Sequence, residues 1–115
     1  DRGRLLNCES DNGMSSADTM RIRVGELDER ARDSVGVLIC GSGIGMSIAA
    51  NRHAHIRAAL VTAPDQAELA RKHNDANVLC LGARIISLET AKACLAAFLN
   101  TAFEGGRHEA RVKKL

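Results

Sequence analysis

Cys40 opens the densest run of chemistry-bearing residues in the chain: it is followed by Gly41, Ser42, Gly43, Gly45 and Ser47 in ICGSGIGMS. Glycines at alternate positions let a backbone bend sharply, approach a ligand closely and aim several N–H groups at an anion beside a helix start. A thiol in such a loop can serve as nucleophile or base, because a helix N-terminus and nearby cations favour the charged sulfur. The competing reading is a structural glycine turn in which Cys40 is a small buried hydrophobe. The loop is neither of the common nucleotide motifs. It lacks the Lys-Ser/Thr of a Walker loop, and the second apolar run closes on Val61-Thr62 rather than on the acidic residue that reads a ribose. ATP and NAD are disfavoured.

A second group is His73-Asn74-Asp75-Ala76-Asn77. Asn74, Asp75 and Asn77, beside His73, offer donors and acceptors suited to sugar hydroxyls. A helix C-terminal cap is the competing role for His73. Arg84, Arg107 and Arg111 supply the positive charge. Arg107 and Arg111 are four residues apart, hence on one helix face, with His108 and Lys114 nearby. Planar guanidinium forks suit bidentate phosphate, against the alternative of a solvated basic tail. His53 and His55 read as solvated or capping rather than as metal ligands. Cys8, Cys40, Cys80 and Cys94 form no C-x-x-C pair and face no His pair at zinc-finger spacing, so free thiols and no metal centre are expected.

The elements that must carry these groups are legible from residue 35 onward. VGVLIC, residues 35–40, is a short continuous apolar run that stops at the glycine loop, as a buried parallel strand does, and a helix follows through SIAANRH. IRAALV (56–61) reads as a strand, Pro64 opens a helix over PDQAELARKHN, and NVLCLG (77–82) reads as a third strand. Leu88, Ala91, Leu95, Phe98, Leu99 and Ala102 share one face of a long helix, which Gly105-Gly106 ends before the basic segment RHEARVKKL. Alternating strand and helix predicts a parallel α/β sheet with helices on its faces. Ligands to such a sheet bind at the carboxyl ends of the strands, which is where Cys40 falls. Ahead of this, residues 1–19 read as polar and turn-rich, and 20–33 as a helix burying Met20, Val24 and Leu27, or as extended chain.

With 115 residues, 45% of them hydrophobic and 26% charged, the chain fits one globular domain. Sixteen Lys and Arg against fourteen Asp and Glu leave only +2, too little to predict nucleic-acid or membrane binding by bulk electrostatics. Phe98 and Phe103 are the sole aromatics, with no Trp or Tyr, so the base-stacking platform of RNA-binding sheets is missing. No apolar run approaches the roughly 18 residues that span a bilayer. A cytoplasmic protein is expected.

These residues together resemble the ribose-5-phosphate isomerase B and galactose-6-phosphate isomerase family. The matching text is GVLICGSGIGMSIAANR at 36–52, IRAALV at 56–61, RKHNDANVLCLGAR at 71–84 and FEGGRHEARV at 103–112. ICGSGIG combined with HNDAN is more similar to the ribose-5-phosphate branch. The resemblance implies a Rossmann-like three-layer α/β/α fold. It also implies a homodimer, or a dimer of dimers, with active sites at the subunit interface, and an aldose–ketose isomerase that needs no metal or nucleotide. By motif, Cys40 resembles the base that moves a proton between C1 and C2, and Ser42 the hydroxyl beside it. The backbone around Gly41, Gly43, Gly45 and Ser47 resembles the anion hole for the enediolate. His73 resembles the residue that assists ring opening, Asn74 a sugar contact, and Arg84, Arg107 and Arg111 a phosphate clamp shared across the dimer. The departure is at the front. Family members begin with a strand ending in Cys-Asp-His or Ala-Asp-His and later carry Asp-Tyr-Pro, whereas this chain has neither, and NCESDNG at 7–13 has no His. The expectation is one isomerase domain over 1–115, with 35–115 matching the family, 1–34 unassigned and the opening strand–helix unit incomplete. The rival is a catalytically weak sugar-phosphate-binding relative.

Overall fold

In a computed structural model of the chain, residues 3–7 and 35–115 are described. They form strand β1 (Gly3–Asn7), β2 (Val35–Cys40), helix α1 (Ile44–Ala50), β3 (Ala58–Leu60), α2 (Pro64–Asn74), β4 (Val78–Gly82), α3 (Leu88–Asn100) and α4 (Arg107–Val112). The strands make one sheet in the order β1-β2-β4-β3, and every pairing is parallel. Gly36 lies opposite Val78 and Cys40 opposite Gly82, so β2 and β4 end level with each other.

Strand residues alternate between two faces, and here both faces are covered. Leu38 and Cys80 turn toward α1, where they pack with Met46, Ala50, Ile56 and Val78, and Cys40 leans on this cluster. Val37, Leu79 and Leu81 turn the other way, onto Ala67 and Ala70 of α2 and Cys94 and Phe98 of α3. This is the three-layer α/β/α arrangement expected. It also explains why VGVLIC and VLCLG are apolar without a polar alternation.

Local chemistry fixes the helix ends. Pro64 occupies the first turn of α2, which closes on Asp75 in the left-handed conformation (φ +46°), with the Asp75 N–H donating to the Arg71 carbonyl. The Ser87 hydroxyl caps α3 by accepting from the Thr90 N–H at 3.1 Å.

The structure departs from the sequence reading in several places. Residues 3–7, expected in a turn-rich stretch, form β1, paired in register from Gly3 with Val35 to Asn7 with Ile39. A strand with only Leu5 and Leu6 as apolar content carries almost no signal of its own, and the hydrogen bonds of β2 supply what is missing. β3 is three residues long rather than six: at its start the Arg57 N–H is taken by the Asn77 side chain at 2.7 Å, and at its end the Val61 N–H still donates to the Cys80 carbonyl at 3.2 Å although the strand stops at Leu60. On α3 the expected apolar face is narrower: Cys94 and Phe98 are buried, whereas Leu88 and Leu99 are exposed. The helix ends at Asn100, short of Ala102. The helix or strand expected at 20–33 and the Cys8 thiol lie outside the described residues.

Candidate active site

β2 delivers Cys40 to the carboxyl edge of the sheet, and the chain turns at once into the glycine loop. Gly43 is the pivot. Its φ is +80°, and a Cβ there would stand 2.5 Å from Leu60 Cδ1 and 3.0 Å from the Leu81 carbonyl carbon. Only glycine satisfies both the conformation and the approach. The turn brings the Gly43 N–H to 3.2 Å from Cys40 Sγ, while the Ile44 N–H donates to Ser42 Oγ at 3.2 Å and the Ser47 hydroxyl donates to the Ile44 carbonyl at 2.7 Å. Those two loop N–H groups therefore hold the thiol and hydroxyl in place. The N–H groups of Gly45 and Met46, in the first helical turn, have no intrahelical acceptor.

A residue the sequence reading left as a strand end proves central. A Cβ on Gly82 would lie 2.5 Å from the Ser42 carbonyl oxygen, so the end of β4 and the glycine loop touch backbone to backbone. Beyond this contact the Ala83 and Arg84 N–H groups donate to the Cys40 and Gly41 carbonyls, both at 2.9 Å. Arg84 is thereby pinned over the loop, its guanidinium carbon 3.9 Å from where a Gly41 Cβ would be. Cys40, Ser42, the loop backbone and Arg84 form one cluster.

The thiols differ sharply in setting. Cys40 is half-buried, whereas Cys80 and Cys94 are enclosed. Burial, and secondarily the charge of Cys40, push the Cys80 thiol up to about 12. Burial, with Asp65 next, also raises Cys94. All three described cysteines are free.

The remaining expected site residues sit at the other edge. His73 and Asn74 end α2, just before β4 begins, so they stand at the amino edge of the sheet. The length of β4 separates them from the Cys40 cluster, roughly 13 Å at 3.3 Å per residue. α4 packs against α2 there and carries Arg107 and Arg111 with it. The His108 ring stacks on His73, with centroids 4.3 Å apart and planes 16° apart, and Glu104 Oε1 lies 3.8 Å from His73 Nε2 and 3.7 Å from His108 Nε2. Burial pushes the His108 imidazole below its usual value, and His73 and then Arg107 act in the same direction. In the sequence His108 reads only as a neighbour of the two arginines, and Glu104 carries no role. The signal was present in the i, i+4 spacing of Glu104 and His108 across Gly105-Gly106.

Two residues of the expected sugar-binding segment have structural work instead. Asp75 pairs with Arg71 at 3.1 Å and Arg57 at 3.4 Å. Asn77 is buried, accepting from the Arg57 N–H and donating to the His55 carbonyl. Asn74 alone of the three side-chain amides and acids stays exposed, on the wall of an open cavity of about 660 Å³ that Arg57 also lines.

Comparison with known proteins gives one consistent answer. A family model described as Ribose/Galactose Isomerase matches residues 5–115. Ribose-5-phosphate isomerase B of Escherichia coli is 51% identical over 80 residues, which is 70% of this chain and 54% of that protein. A putative sugar phosphate isomerase of Rickettsia bellii is 52% identical over 81 residues, 70% of this chain and 56% of its own. The chain spans about half the length of these curated relatives. Among solved structures, ribose 5-phosphate isomerase B from Anaplasma phagocytophilum superposes with a TM-score of 0.82 at 52% identity, covering 93% of this chain and 74% of its own. The enzyme from Mycoplasma genitalium with bound ribulose-5-phosphate gives 0.81 at 36% identity, over 92% and 70%.

Proposed function

The chain belongs to the ribose/galactose isomerase family, and we propose that it is an aldose–ketose isomerase of sugar phosphates, interconverting ribose 5-phosphate and ribulose 5-phosphate. The observation that carries this reading is the thiol of Cys40, held by the Gly43 N–H at 3.2 Å in a loop over which Arg84 is pinned. The printed names of the relatives and the ribulose-5-phosphate of the Mycoplasma genitalium structure support the substrate class.

The reaction needs a base beside a carbonyl carbon and donors where the oxyanion forms. Cys40 takes the proton from C2 of the open aldose and returns it to C1, while the hydroxyl proton passes from O2 to O1. The backbone around Gly41, Gly43, Gly45 and Ser47 shapes the anion hole; the Gly45 and Met46 N–H groups, with the Ser42 hydroxyl, hold the enediolate, because the Gly43 N–H is engaged by Cys40 Sγ and the Ser47 N–H by the Gly43 carbonyl. His73 assists ring opening, Asn74 contacts the sugar, and Arg84, Arg107 and Arg111 bind the phosphate. No metal or nucleotide takes part in this scheme. We read residues 1–115 as one isomerase domain that acts as a cytoplasmic homodimer or dimer of dimers.

The distance between the two edges supports the dimer. General acid–base groups must come within about 3 Å of the atoms they serve. His73 and its arginines therefore cannot share a substrate with Cys40 of the same chain. A two-fold axis that sets the amino edge of one protomer against the carboxyl edge of its partner completes two identical sites. Exposed Ile44, Ile48, Leu60 and Ile85 around the carboxyl edge provide apolar surface for that contact.

Solvent-deuterium exchange at C1 or C2 of ribose 5-phosphate, followed by NMR, tests the reaction. Wild type should exchange and turn over, and Cys40→Ala should lower kcat by at least about 10²-fold with KM nearly unchanged. Binding of ribose 5-phosphate by wild type with neither exchange nor turnover would instead assign the chain to the weakly catalytic binding relatives.

A further inference from the structure

We propose that His73, Glu104 and His108 form a binding site for a divalent transition metal ion, Zn2+ above all. The donor atoms of the three side chains lie within 4.8 Å of one another. Around a tetrahedral zinc with bonds near 2.0–2.1 Å, ligand atoms sit about 3.3 Å apart. The two Nε2-to-Oε1 separations of 3.8 and 3.7 Å therefore need to contract by only about half an ångström. Glu104, half exposed, has the freedom to make that movement. His73, with 40% of its side chain exposed, must also swing out of the stack, because an imidazole nitrogen binds a metal in the plane of its ring and two near-parallel rings 4.3 Å apart cannot both point at one ion.

The cluster is assembled by the backbone. The Glu104 N–H donates to the Lys72 carbonyl at 3.2 Å, tying the segment after α3 to the last turn of α2 beside His73. Gly105 and Gly106, at φ +68° and +57°, then reverse the chain so that α4 lays His108 on His73. His108 is enclosed, with 8% of its side chain exposed, which fixes one ligand before any ion arrives. Two imidazoles and one carboxylate, with a fourth position open to solvent, suit zinc and its neighbours in softness. Magnesium and calcium prefer all-oxygen sites. Arg107 and Arg111 on the same helix oppose a cation, so micromolar rather than nanomolar affinity is expected.

Binding stands on this geometry alone. Its consequence rests on the isomerase reading: a metal on His73 Nε2 removes the imidazole that assists ring opening, so the ion inhibits and a chelator restores turnover.

The test is calorimetric titration of the full, EDTA-treated chain with zinc chloride, backed by the visible spectrum of the Co2+ form. One ion per chain with a tetrahedral Co2+ spectrum is expected. Glu104→Gln, an exposed substitution that should not disturb folding, and His108→Asn should each weaken binding at least about 10-fold. Cys40→Ala should leave it unchanged. Binding insensitive to both Glu104→Gln and His108→Asn, binding lost in Cys40→Ala, or no binding below millimolar zinc each overturns the site. A chain that binds zinc with the expected variant pattern but shows no isomerase activity sustains the site and defeats only the isomerase reading.

Discussion

If Cys40 and His73 serve one substrate from different protomers, two dead variants should repair each other. Cys40→Ala and His73→Ala each remove one group that every site needs, and each alone should lose at least about 10²-fold in turnover. The roughly 13 Å along β4 between their edges makes rescue within one chain impossible, because proton transfer needs contact distances. Mixed at equal amounts and allowed to exchange subunits, the two variants should form about half heterodimers, each with one intact site and one doubly defective site, so the mixture should recover about one quarter of wild-type activity. The control runs in the opposite direction. A Cys40→Ala/His73→Ala double variant mixed with wild type places one defect in each site of the heterodimer, so activity should fall to about half of the unmixed value. Differently tagged subunits, exchanged in mild denaturant and returned to buffer, allow the heterodimer to be isolated and assayed alone. A mixture of single variants no more active than the sum of its parts, with wild type untouched by the double variant, would refute the shared site.

Further outcomes follow from the same geometry. Gly82→Ala should cost about 1–3 kcal/mol in chemical denaturation and most of the activity, since its Cβ would fall 2.5 Å from the Ser42 carbonyl oxygen and the backbone there has little room to yield. Gly105→Ala, where nothing lies within 4 Å, isolates the cost of positive φ alone, and about 1 kcal/mol is expected with the loop at Cys40 undisturbed. Arg107→Ala and Arg111→Ala, both exposed, should each weaken sugar-phosphate binding by about 1.5–3 kcal/mol without lowering the melting temperature, and equal wild-type affinity for ribose and ribose 5-phosphate would contradict the clamp. Alkylation at pH 8 followed by peptide mass mapping should modify Cys40 before Cys80 or Cys94, because Cys80 is both enclosed and pushed up to about 12; early labelling of Cys80 in folded protein would show that its enclosure is wrong.

Much of the molecule follows from local spacing. The apolar runs at 35–40 and 78–82 are strands because no polar alternation interrupts them, and burial on both sheet faces is what such runs require. Pro64 marks the start of α2 through its fixed φ, a property of adjacent residues, whereas Gly105-Gly106, expected to end α3, stand before α4, because α3 already stops at Asn100. The glycine loop and its thiol were readable for the same reason. What spacing could not supply were relations between segments far apart in the chain. β1 exists because β2 offers it a ladder, and its own two leucines would not have declared it. Asp75 and Asn77 have the residue types of sugar ligands, yet Arg57, 18 and 20 positions away, engages them as structural anchors. The stacking of His73 on His108 depends on how the chain returns after α3, and the separation of Cys40 from His73 depends on the sheet being parallel, so that residues before and after a strand stand at opposite edges. Side-chain chemistry is local, whereas partnership is decided by closure of the sheet and the return path of the helices, and only the folded chain fixes those.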